Sequence, residues 1–102
     1  MEGNMFSKLQ EMKQKMDDAK NRLDSILVKG TAGEIQVTIT GNRKVKEIQI
    51  PDDFMNPERK EELEEMLTTA FNRGLEQANT VNETEMASSA SQILPGLGGL
   101  GL

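Results

Sequence analysis

The stretch that most restricts what this chain can fold into is Gly33 to Ile50, GEIQVTITGNRKVKEIQI. Ile35, Val37 and Ile39 alternate with Gln36, Thr38 and Thr40, the period-2 pattern of a strand with one buried face. Gly41-Asn42 then offers two residues that tolerate positive φ, so a two-residue turn there pairs Val37 with Lys46 and Ile35 with Ile48. In that register Ile48 and Ile50 share a face with Ile35, Val37 and Ile39, whereas a slip of one residue would part them. Gln36, Thr38, Thr40 and Val45 fall on the other face. The segment therefore predicts a β-hairpin.

A further strand precedes it. Ile26 to Lys29 leads into Gly30-Thr31-Ala32-Gly33, a run of small residues suited to a turn. With Thr31-Ala32 at the turn centre, Val28 pairs with Ile35 and Ile26 with Val37, giving a three-stranded antiparallel meander. Pro51-Asp52-Asp53 ends the third strand, because proline cannot donate to a ladder and aspartates favour turns.

Helices flank the meander. The first is predicted to open at Asn4 or Ser7, both capable caps, and Ser7 with Gln10 has capping-box spacing. Met5, Leu9, Met12, Met16, Ala19, Leu23 and Ile26 are spaced by alternating steps of four and three, the narrow seam of a coiled-coil-like helix. Lys8, Lys15 and Arg22 line one edge of that seam, Lys13 and Lys20 the other, while Glu11, Asp17, Asp18 and Asp24 lie further out. A parallel two-stranded coil of this helix with itself would oppose lysine to lysine, which is repulsive, so the seam is expected to pack elsewhere in the fold or cross a partner differently. The second helix starts at Asn56-Pro57-Glu58, a cap followed by proline at the first helical position and an acid that complements the dipole. Its apolar face comprises Leu63, Met66, Leu67, Ala70, Phe71, Gly74, Ala78 and Val81 and is expected to pack on the sheet. Gly74 inside a helix costs about 1 kcal/mol relative to alanine, which close approach to a neighbouring element would offset. Glu61, Glu62, Glu64 and Glu65 read as a solvated face. Residues 93–102 form a Leu/Gly-rich tail, expected to be mobile, after a domain spanning 1–92.

Composition narrows the chemistry. The 102 residues include no cysteine, histidine, tryptophan or tyrosine. Disulfides, thiolate nucleophiles and the commonest general base and metal ligand are therefore excluded, and two of the three aromatic stacking residues are missing. Asp52 and Asp53 are adjacent carboxylates with no cleft implied around them. The N-terminus lacks the apolar run of a signal peptide and no segment is long enough to span a bilayer, so a cytoplasmic location is expected. The net charge of -5 is unevenly spread. Residues 1–29 carry six basic against five acidic side chains and residues 30–51 three against two, whereas residues 52–102 carry three against ten. On the first helix the basic residues either solvate the border of a packed seam or form an electrostatic footprint for a polyanion.

The order helix, three-stranded meander, long helix (α-β-β-β-α, α+β class) resembles the YbaB/EbfC family of bacterial nucleoid-associated proteins. The resemblance is carried by MFSKLQEMKQKM in the first helix, VKGTAGEIQVTITGNRKVKEIQI in the sheet, LTTAFNRGLEQA in the second helix and LPGL near the C-terminus. It implies a cytoplasmic, nucleoid-located homodimer with protruding helices that binds double-stranded DNA, organises the chromosome and influences gene expression. It implies no enzymatic activity, cofactor, metal, small-molecule substrate or membrane partner. DNA contact through the helices points to Lys8, Lys13, Lys15, Lys20 and Arg22, and more weakly to Arg73. The competing class is a dimeric protein-interaction scaffold that recruits through its acidic second helix or its tail. An enzyme built on Asp52 or Asp53 is the least favoured.

Overall fold

A computed structural model describes residues 2–93, with side chains from Met5 to Ser91. Helix α1 (Glu2–Asp24) leads to strands β1 (Leu27–Ala32), β2 (Ile35–Thr40) and β3 (Val45–Gln49). Two short 3-10 turns, Asp52–Phe54 and Pro57–Arg59, lead into α2 (Lys60–Ile93). The sheet is antiparallel in the order β1-β2-β3, so the predicted α-β-β-β-α arrangement is the observed one. The predicted tail lies outside the described residues from residue 94 onward.

β2 is the central strand, and its predicted inward residues Ile35, Val37 and Ile39 are fully buried. Burying side chains of this size stabilises by about 1.5–3 kcal/mol each. α2 crosses the same face, lying over β1 and β2. Ala70, Gly74 and Ala78, spaced by four along α2, are buried at that crossing. Their small size lets the helix backbone approach Gly30 of β1, where a Cβ would sit 1.9 Å from Ala70 O and 2.3 Å from Gly74 N. The close approach expected for Gly74 is therefore its packing on β1. Asn56 caps as predicted, its Oδ1 accepting from Glu58 N at 2.9 Å. The Arg59 guanidinium lies 3.9 Å from the centroid of the buried Phe54 ring, which closes the start of α2 onto the core.

Both predicted strand registers are corrected. β1 runs through Gly30-Thr31-Ala32 instead of turning there, because the absent Cβ of Gly30 is needed under α2. The turn falls at Gly33-Glu34, with Gly33 at φ 58, the first-position glycine that a two-residue turn of the II′ kind requires. Val28 accordingly pairs with Ile39, and Ala32 with Ile35. In the second hairpin the turn has three residues: Arg43 N donates to Thr40 O (2.9 Å), Thr40 N donates to Lys44 O (2.8 Å), and Arg43 takes φ 65. Gly41 is not at positive φ; it is small because a Cβ would meet Leu23 Cδ2 at 2.7 Å. Val37 pairs with Ile48 and Ile39 with Val45, and the register shift between Thr38 and Ile39 leaves Lys46 as the extra residue of a bulge. Val45 therefore joins the α2-facing side of the sheet, not the polar side predicted for it.

α1 begins at Glu2, so Asn4 and Ser7, the expected caps, lie inside the helix. Its C-terminal end is tied to the second hairpin. Gly41 N donates to Leu23 O (3.0 Å) and Ile26 O (2.9 Å), and Asn42 Nδ2 donates to Lys20 O (2.9 Å) and Asp24 Oδ1 (2.6 Å). On the other side of the same loop, Asn82 Nδ2 donates to Gly41 O at 3.0 Å. These bonds set Leu23 level with Asn82, so α1 and α2 leave the sheet side by side and antiparallel.

Candidate nucleic-acid interface

Beyond the sheet the two helices differ in reach. At about 1.5 Å per residue, α2 continues past Asn82 for about 17 Å to Ile93, while α1 extends from Leu23 back to Glu2 for about 32 Å. The seam of α1 shows the consequence. Leu23 and Ala19 are fully buried, Met16 and Met12 half-buried, and Leu9 and Met5 are 59% and 70% exposed. The N-terminal part of α1 is thus an arm that outruns the described end of α2.

The basic residues flank that arm as their spacing required. Lys8 and Lys15 lie on one edge and Lys13 and Lys20 on the other; Lys8, Lys13 and Lys20 are exposed and Lys15 is half-buried. The ion pairs among the described residues are Arg22 with Glu85 and Arg59 with Glu62, so neither lysine edge is neutralised by one. An exposed strip of cations on a rigid helix attracts phosphate wherever the backbone of a duplex can run alongside it.

Arg22 and Arg73 are placed differently. Arg22 Nε donates to Glu85, and its Nη2 donates to Ser89 Oγ at 3.3 Å. Ser89 is itself buried, so this guanidinium closes the helix pair. Arg73 Nη1 donates to Thr31 O at 2.9 Å, and Gln77 Nε2 donates to Lys29 O at 3.0 Å. Both acceptors are carbonyls on the free edge of β1. The sequence showed neither role, because each depends on which helix turn lies beside which backbone group. Arg43, at the hairpin turn, donates through Nε to Asn79 Oδ1.

The concave surfaces offer little chemistry. One shallow groove is lined by Val28, Glu76, Gln77, Thr80 and Val81, and another by Phe54, Met55, Asn56, Pro57, Lys60 and Leu63. Asp52 and Asp53 are exposed in the first 3-10 turn. Among the described residues no group of three Asp or Glu side chains is arranged to hold a metal ion, and no helix is long and apolar enough to cross a membrane.

Comparison with known proteins agrees with this architecture. The sequence profile of the YbaB/EbfC DNA-binding family matches residues 1–93. A nucleoid-associated protein of Flavobacterium johnsoniae is 40% identical over 98 residues, covering 94% of this chain and 91% of the relative. A nucleoid-associated protein of Ruminiclostridium cellulolyticum is 32% identical over 99 residues, covering 95% of this chain and 83% of the relative. The crystal structure of an uncharacterized Helicobacter pylori protein superposes with a TM-score of 0.74 at 20% identity, covering 84% of this chain and 91% of that one, and shares the fold.

Proposed function

The chain belongs to the YbaB/EbfC DNA-binding family, and on that premise we propose that it acts as a homodimer that binds double-stranded DNA mainly through phosphates. In this reading it resides in the nucleoid, organises the chromosome and influences gene expression. The observation that carries it is the α1 arm, which outruns α2 with exposed lysines along both edges and no ion pair on them among the described residues.

Lys8, Lys13, Lys15 and Lys20 neutralise phosphates and displace condensed counterions, which supplies affinity without base readout. Arg22 joins only by giving up Glu85 and Ser89, and Arg73 only by giving up the Thr31 carbonyl. Of the acidic residues in the second half of the chain, Glu58, Glu61, Glu62, Glu64 and Glu65 cluster at the sheet end of α2, away from the arm, while Glu85 faces α1 and is paired with Arg22.

Titration of a labelled duplex across a salt series tests the reading. If a dimer neutralises about six phosphates, log K falls against log salt with a slope of about −5. Replacing Lys13, Lys15 and Lys20 with alanine flattens that slope. Absence of binding at low salt, or binding indifferent to those three changes, would reject direct DNA contact. It would favour the scaffold reading, for which the exposed Met5, Phe6 and Leu9 at the end of α1 offer an apolar surface.

A further inference from the structure

The apolar seam of α1 runs further than the helix that covers it. From Leu23 to Met12 its residues are buried or half-buried beside α2. α2 ends at Ile93, about 17 Å past Asn82 and hence level with Met12. The next seam residues, Leu9 and Met5, are 59% and 70% exposed, with Phe6 beside them at 62%. Loss of cover thus coincides with the last turn of α2. One exposed leucine needs no partner, but three large apolar side chains within little more than a turn form a contiguous stripe.

From that point the chain continues with Leu94-Pro95-Gly96-Leu97, which lies outside the described residues. We propose that this segment docks on the stripe of Met5, Phe6 and Leu9 in the same chain, completing the cover that α2 begins. Its direction is already right, because α2 runs antiparallel to α1 and delivers the chain at Met12. Proline at 95 has no amide hydrogen and disfavours helix at the residue before it, so the helical path gives way to extended chain where the stripe starts. Extended chain advances about 3.1 Å per residue, which sets Leu94 beside Leu9 and Leu97 beside Met5 and Phe6. Leucines three apart fall on one side of a chain with three residues per turn, and Gly96 between them lets the backbone lie close to α1. The segment carries no charge, so it fits between Lys8 and Lys13 without burying one and leaves both lysine edges in solvent. This docking holds whether or not the arm binds DNA.

Paired cysteines in the full chain test this, since the protein has none of its own. Under mild oxidation, the double variant Leu9→Cys, Leu94→Cys closes a disulfide within one chain. It does so about tenfold faster than Glu11→Cys, Leu94→Cys, because docking raises the local thiol concentration on the seam side of α1 only. Glu11 is the control because it lies at nearly the same height on the far side of the helix. A second measurement needs no cysteine. Leu94→Ser with Leu97→Ser in the full chain speeds amide hydrogen exchange in residues 5–12 and leaves residues 82–89 unchanged, which separates lost docking from a loosened fold. Equal closure rates for the two cysteine pairs, closure only between chains, or exchange indifferent to the serine changes overturns the inference. So does protection of residues 5–12 that appears only on adding a DNA duplex, which would give the stripe to DNA.

Discussion

Gly30 of β1 and Gly74 of α2 lie backbone to backbone, with a Cβ built on Gly74 only 3.2 Å from Gly30 N. The reverse substitution is far more crowded, since a Cβ on Gly30 would strike Ala70 O at 1.9 Å and Gly74 N at 2.3 Å. Gly30→Ala must move the helix backbone and should cost about 3 kcal/mol or more. Gly74→Ala meets the movable end of Ile39 at 2.8 Å, and alanine regains about 1 kcal/mol of helix propensity, so its net cost should be about 1 kcal/mol or less. Urea unfolding of the two variants should give that ranking; equal midpoints would contradict the close approach.

The gradient of burial along α1 predicts opposite responses to the same truncation. Leu23→Ala removes a fully buried side chain that packs on Gly41 and should destabilise by about 2–5 kcal/mol. Leu9→Ala, on the exposed part of the seam, should change the stability of the folded chain by less than about 0.5 kcal/mol. Denaturant midpoints measured on both variants check the contrast.

The basic residues should separate by what each one touches. Lys13→Ala and Lys20→Ala should each lower the magnitude of the salt slope by about 0.9 for every phosphate left without its cation, with little effect on melting. Arg22→Ala should do the reverse. It leaves the buried Ser89 without its guanidinium partner, which costs about 1–3 kcal/mol, and the ion pair adds little because the Arg22 side chain is half exposed. Glu85→Ala removes an acid that holds Arg22 and should raise DNA affinity. Melting curves and salt titrations on the same four proteins decide the assignment.

Asn42 sets the angle of the arm. Its amide donates to Lys20 O and to Asp24 Oδ1, clamping the last turn of α1 to the hairpin. Asn42→Ala should cost about 1–2 kcal/mol. It should also speed amide hydrogen exchange in residues 20–26 while leaving β2 protected. Unchanged exchange there would mean that the helix pair holds the arm without the hairpin.

Much of this protein follows from local pattern. The alternation of Ile35, Val37 and Ile39 determined the central strand and its buried face, the four-three spacing of α1 determined which face docks and where its lysines project, and Asn56-Pro57 determined where the second helix begins. These are short-range consequences of pleat, helical pitch and capping, and they need no partner to be read. The first turn is displaced because Gly30 looks like a turn glycine yet lies within β1, where α2 passes too close for a Cβ; the second falls at the expected Gly41-Asn42 but is one residue longer, and Gly41 there is small because Leu23 packs against it. That requirement exists only after α2 has crossed β1 and α1 has met the hairpin. The same applies to Arg22 and Arg73, whose charge marked them for DNA but whose partners, Glu85 with Ser89 and the Thr31 carbonyl, lie 42 or more residues away in the chain. Tertiary packing alone decided that, among the described residues, α1 is exposed towards its N-terminal end and that side chains of α2 cap one sheet edge and not the other, because both depend on how far α2 reaches and which strands it covers.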